Sequence, residues 1–129
     1  MEGNQREKLE QQLQEARDNL LSLEYNWDDR GAKKIEEATF QRMVEFLFDL
    51  LENIQQEGIK WELPEIYPGT KGEVLVQWKT DRFQLVIVIP EDTLEPAIYY
   101  ATDYDKNEDE GTASNERLNS LYINWARQF

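Results

Sequence analysis

Glu73-Val74-Leu75-Val76-Gln77-Trp78-Lys79, the short link Thr80-Asp81-Arg82, and Phe83-Gln84-Leu85-Val86-Ile87-Val88-Ile89 form the stretch that decides the fold. Successive side chains of an extended chain point to opposite faces, so residues 73–79 place Val74, Val76 and Trp78 on one face and Leu75 and Gln77 on the other. The link is a tight turn. Residues 83–89 then read as the central strand, and their near-continuous apolar run predicts cover on both faces. Pro90 ends that run, a loop containing Pro96 follows, and Ile98, Tyr99 and Tyr100 fit a third strand over residues 97–104. These connections suit an antiparallel meander.

Upstream, Pro64, Pro68, Gly69 and Gly72 supply the punctuation expected between strands, and residues 59–63 make a short extended lead-in. Before Gly58 the period is helical. Ile35, Phe40, Met43, Val44, Leu47, Leu50, Leu51 and Ile54 cover one broad face of a helix from about Glu36 to Gln56, and Gly58 offers a left-handed stop. Residues 4–24 lack Pro and Gly and carry Leu9, Leu13, Ala16, Leu20 and Leu23 at alternating spacings of four and three. That narrow stripe suits packing on the chain's own core, and it would also serve as the seam of a homodimer. Downstream, residues 103–116 are acidic and almost free of apolar side chains, which predicts a mobile surface loop. Ser114 or Asn115 then caps a short terminal helix with Leu118, Leu121, Tyr122 and Trp125 along one side. The expectation is a single α+β domain over residues 1–129. Its two N-terminal helices and short C-terminal helix pack on a three- to four-stranded antiparallel sheet.

The chain has 27 acidic and 14 basic side chains, a net charge of −13, and no histidine or cysteine. The usual carriers of proton transfer near neutrality and of thiol nucleophilicity are therefore missing. The negative charge disfavours direct binding of nucleic acid and of anionic membrane surfaces, both of which rest on Lys and Arg, and it favours a basic protein partner. No basic-then-apolar leader and no apolar run approaching 18 residues is present, so a cytoplasmic location is expected. No cofactor motif is found. Asp28 with Asp29 is the best carboxylate pair by sequence, but adjacent side chains diverge and do not face each other across a substrate. A non-catalytic protein is the expectation.

Between the long helices lies Asn26-Trp27-Asp28-Asp29-Arg30-Gly31-Ala32. Asn26 and Asp28 suit hydrogen bonding to turn amides, Gly31 suits positive φ, and Trp27 can bury its ring beneath the loop. The same loop would present Asp28, Asp29 and Arg30 to a partner. The pattern resembles the Asn-Trp-Asp-(Gly/Ser)-x-Gly-(Ala/Ser) turn of a group of small, largely uncharacterised bacterial proteins, cyanobacterial ones among them. The resemblance covers about residues 25–104, including Leu63-Pro64, the strand ending at Trp78 and the apolar strand after it. It departs at Asp29, where a small residue is usual, and at Lys34, where proline is frequent. It implies the helix-then-sheet fold and a lineage, and it transfers no catalytic residues.

Asp103, Asp105, Asn107 and Asp109 have the alternate spacing of a calcium-binding loop. The position that needs Gly is Glu108, and the twelfth, where a bidentate Glu belongs, is Ser114, so no metal site is assigned. Asp103, Asp105, Asp109 and Glu110 join Asp28, Asp29 and Arg30 as expected partner-binding residues. Trp61, Trp78, Tyr99 and Tyr100 are read chiefly as core, with a binding face as the other reading. The leading expectation is an acidic interaction module of the antitoxin, immunity or adaptor kind. The alternatives are a nucleic-acid mimic and a small ligand-binding protein or enzyme using carboxylates.

Overall fold

The computed structural model describes residues 2–104 and 108–126, without the side chains of residues 2 and 3. Its elements run α1 (Glu2–Leu21), α2 (Glu37–Gln56), β1 (Glu65–Pro68), β2 (Val74–Lys79), β3 (Gln84–Ile89), β4 (Ile98–Thr102), β5 (Glu108–Thr112) and α3 (Asn115–Ala126). The strands form one antiparallel meander in the order β1-β2-β3-β4-β5. The α+β class and the three helices match expectation, and the sheet gains strands at both edges.

Each helix has a visible local cause. α1 buries Leu9, Leu13, Ala16 and Leu20 in the chain's own core and ends at Leu21, short of Leu23. α2 buries Phe40, Met43, Leu47, Leu50, Leu51 and Ile54 along its apolar face. It stops at Gly58, whose φ of +70° suits a residue without Cβ. There the Gly58 amide donates to the Gln55 carbonyl at 3.0 Å and the Ile59 amide to the Ile54 carbonyl at 3.2 Å, which together close a Schellman turn. Ser114 caps α3, its Oγ accepting from the Arg117 amide at 3.2 Å.

The sheet turns one face to all three helices. Val74, Val76, Trp78, Leu85, Ile87, Ile89, Tyr99 and Ala101 join α1, α2 and α3 in a single buried cluster. Cross-strand register aligns them, pairing Val76 with Ile87 and Ile87 with Tyr99. At its centre Tyr122 is fully buried. Its ring stacks on Trp61 at 5.5 Å and meets Trp78 edge-on at 5.6 Å. The Tyr122 hydroxyl accepts from the Glu62 amide at 2.7 Å and donates to the Lys60 carbonyl at 3.0 Å. Trp78 Nε1 donates to the Glu62 carbonyl at 2.9 Å, so these two aromatic side chains fasten the connector between α2 and β1.

Three expectations need correction. Pro68 is part of β1 and not punctuation between strands; proline is tolerated because β1 is an edge strand. The central strand β3 is covered by helices on one face only, and Val86 is buried on the other by the side chains around it in the sheet. The expected loop over residues 103–116 contains β5, which pairs Asp109 with Ala101 and Glu110 with Tyr100, and it also contains the first two residues of α3. Asp105 lies outside the described residues.

Candidate functional site

The corner at residues 26–32 is built by its own polar groups. Asp28 Oδ1 accepts from the Arg30 amide at 2.8 Å and the Ala32 amide at 3.0 Å. Asn26 Oδ1 accepts from the Gly31 amide at 2.5 Å, and the Asn26 amide donates to the Ala32 carbonyl at 2.7 Å. Amides bonded to the ionised carboxylate, that of Arg30 foremost, hold the Asp28 carboxyl below its ordinary range. Positive φ falls on Asn26, Asp29 and Gly31, a conformation that Asn, Asp and Gly tolerate best. Trp27 is half-buried and acts through Nε1, which donates to the Lys33 carbonyl at 3.0 Å; its ring is not in the main cluster. Asp28 is thus occupied in folding the turn, while Asp29 and Arg30 are exposed.

The two groups of expected partner-binding residues lie on different parts of the sheet. The Lys33 amide donates to the Thr70 carbonyl at 3.0 Å, and Lys33 Nζ meets Glu91 at 3.5 Å, which ties the corner to the β1–β2 and β3–β4 connections. Asp103 follows β4 at the other end, about 17 Å away along strands of this length, while Asp109 and Glu110 sit partway along β5, opposite Ala101 and Tyr100. β5 also divides its acids between faces. Asp109 points to the helix side and forms an ion pair with Arg117, whose Nε donates to the Tyr99 hydroxyl at 3.0 Å. Glu110 stands on the outer face beside Tyr100.

That outer face is the feature sequence reasoning missed. The register places Tyr67, Leu75, Val88, Ile98 and Thr112 in one cross-strand row. The adjacent row reads Glu65, Gln77, Val86, Tyr100 and Glu110, and a third reads Lys79, Gln84, Thr102 and Glu108. Each full row spans roughly 19 Å at the usual strand spacing. None of the apolar members of these rows belongs to the core cluster, and Ile98 is 48 % exposed. Leu75, Val88, Ile98 and Tyr100 therefore form an apolar centre with Glu65 at one edge and Glu108 and Glu110 at the other. Burial, with the Glu108 carboxylate beside it, raises the Tyr100 hydroxyl above its ordinary value; burial and Glu65 do the same to Tyr67. The signal was present as alternation in residues 73–79 and 97–102. In β3 it was masked because both faces carry β-branched residues.

One end of the apolar row opens into a cleft of about 350 Å³ lined by Val88, Ile98, Lys33, Lys71, Glu73 and Glu91 among others. Among the described residues no three carboxylates converge as metal ligands, and no helix is long and apolar enough to cross a membrane. Of the aromatics singled out in the sequence, Trp61, Trp78 and Tyr99 lie in the core and Tyr100 on the outer face. No protein-family model matches the chain, and no curated protein or solved structure matches it.

Proposed function

We propose that this protein is a non-catalytic, cytoplasmic interaction module that binds a basic protein through the outer face of its sheet, in the manner of an antitoxin, immunity or adaptor subunit. The observation that carries the reading is the apolar centre of that face between acidic edges. Leu75, Val88 and Ile98 supply area to remove from water, while Glu65, Glu108 and Glu110 outnumber Lys79 on the same surface. Apolar centres with charged rims are the usual anatomy of a docking surface, and rim charge selects the partner's sign and speeds encounter. The chain's net charge of −13 acts in the same direction at longer range. Asp29, Arg30 and Asp103 contribute to steering on this reading, and Asp28 and Asp109 contribute through folding. Direct nucleic-acid and membrane binding are not part of it. Kinship through the Asn26–Ala32 pattern adds a lineage and no chemistry.

The test is affinity capture from the host with the wild type and with Ile98→Lys, at low and high salt. Ile98 is exposed enough for the substitution to leave the fold intact, and the new charge opposes a basic partner. The proposal expects one basic protein in stoichiometric amount, released by salt and not retained by Ile98→Lys. Equal retention by both proteins, or an empty capture with the wild type, contradicts it. A second reading, a small-ligand carrier, is favoured by the cleft beside Val88 and Ile98, whose volume falls in the range of small-molecule sites. A thermal-shift screen in which one small molecule raises Tm by several degrees, and Ile98→Lys abolishes the shift, supports that alternative.

A further inference from the structure

The two edges of the sheet are furnished differently. In an antiparallel pair, residues that exchange both backbone bonds alternate with residues whose N–H and C=O groups point away. On β5 the phase is fixed by the bond from the Ala113 amide to the Ala97 carbonyl, 2.8 Å. Asp109 and Gly111 therefore bond β4, while Glu108, Glu110 and Thr112 turn their backbone groups outward. All three are exposed, and among the described residues no strand lies beyond them. On β1 the bond from the Gly69 amide to the Glu73 carbonyl, 2.8 Å, makes Pro64, Ile66 and Pro68 the outward positions. Two of these have no N–H, and the Pro64 carbonyl already accepts from Gln12 Nε2. One edge is blocked, and the other presents three donors and three acceptors in strand geometry with no partner among the described residues.

We infer that an extended basic segment of the partner adds to β5 as a sixth strand; this rests on the reading that the outer face binds a basic protein. Strand addition to an open edge is an established mode of peptide recognition, with backbone bonds giving affinity and alternate side chains giving specificity. The side chains of Glu108 and Glu110 lie on the outer face, so every second residue of the added strand stands beside them and is Lys or Arg. A second copy of the chain is the wrong occupant, because pairing β5 with β5 sets acids against acids across the new ladder. The charges that guard this edge against self-association are thus the charges that admit a basic strand. The added strand continues the sheet one strand beyond Tyr100, so the partner's neighbouring residues reach back over β5 to the apolar centre already described.

The experiment uses the full chain, 15N-labelled, titrated at low salt with a synthetic dodecapeptide of alternating Lys and Val, and with its Glu-Val counterpart as control. Amide exchange at Glu108, Glu110 and Thr112 is expected to slow about tenfold or more with the Lys-Val peptide, as edge amides gain partners, and to stay unchanged with the control. Glu110→Gln and Glu110→Pro separate charge from backbone. Both remove the carboxylate, but only proline removes the outward N–H, and at that position it leaves the β4 ladder intact. Glu110→Gln is expected to weaken binding about threefold, the scale of one rim charge, and Glu110→Pro about tenfold further, because it also removes a backbone donor. A Lys-Val peptide N-methylated at alternate residues repeats the test on the ligand, and loses binding with an unaltered protein. Equal affinity of Glu110→Gln and Glu110→Pro, with the N-methylated peptide binding normally and Ile98→Lys still weakening the complex, overturns strand addition and leaves face binding standing. Failure of the wild type to bind the Lys-Val peptide at millimolar concentration overturns strand addition, while the outer-face reading falls only if the capture with wild type and Ile98→Lys fails.

Discussion

Replacing Tyr122 with Phe removes one oxygen from the middle of the core and leaves every ring contact in place. That oxygen accepts from the Glu62 amide at 2.7 Å and donates to the Lys60 carbonyl at 3.0 Å, and the side chain is fully buried. Each net hydrogen bond contributes about 1 kcal/mol, and stranding its partner adds to the loss, so Tyr122→Phe should destabilise the fold by about 2 kcal/mol. For a domain of this size that lowers Tm by roughly 8 °C. Urea unfolding followed by tryptophan fluorescence reads the change, since Trp61, Trp78 and Trp125 surround the ring. The pH dependence carries a second signature. Burial pushes the Tyr122 hydroxyl above its ordinary value of 10.0, so the fold favours its neutral form. Its contribution is complete below pH 10.0 and is lost as pH rises through the folded value, because the unfolded chain ionises first. The difference between wild type and Tyr122→Phe should therefore shrink by about 1.4 kcal/mol per pH unit above 10. A Tyr122→Phe protein within 0.5 kcal/mol of wild type near neutrality would refute the claim that this hydroxyl fastens the connector to β1.

Three further outcomes are expected. Gly58→Ala, which forces a Cβ into φ +70° at the end of α2, should cost about 1 kcal/mol in the same unfolding assay. Thr39→Val should stabilise by roughly 1 kcal/mol, because the Thr39 hydroxyl is buried with no hydrogen-bond partner among the described residues and valine keeps its shape. Acid should loosen the 26–32 corner: Asp28 holds two amides as a carboxylate, its contribution is present above its ordinary value of 3.8, and it is lost as pH falls through the depressed folded value. Amide exchange at Arg30 and Ala32 measured down the acid limb checks this, and Asp28→Asn should flatten the dependence.

The helices and the inner strands were legible because their apolar periods are strong: Phe40 through Ile54 on α2, and Val74, Val76 and Trp78 on β2. The Asp28 turn was legible because Asx chemistry is local. β5 was not, since Glu108-Asp109-Glu110-Gly111-Thr112 has poor intrinsic strand preference. It is held by pairing with β4, by the Asp109–Arg117 ion pair, and by Gly111, where a Cβ would lie 3.4 Å from the Tyr99 ring. β1 was hidden because Pro68 reads as a break until the strand is known to be an edge. The outer face was legible only in pieces: its apolar members come from four strands, and only the register assembles them.

The central claim is that the partner sits on the outer face of the sheet and not on the Asp28 corner. Side-chain methyl and ring NMR shifts of the purified complex, compared with the free chain, address it residue by residue. Outer-face docking predicts shift changes at Leu75, Val86, Val88, Ile98 and Tyr100, with residues 26–32 unchanged. Changes confined to residues 26–32, with the outer-face side chains as in the free protein, would contradict it.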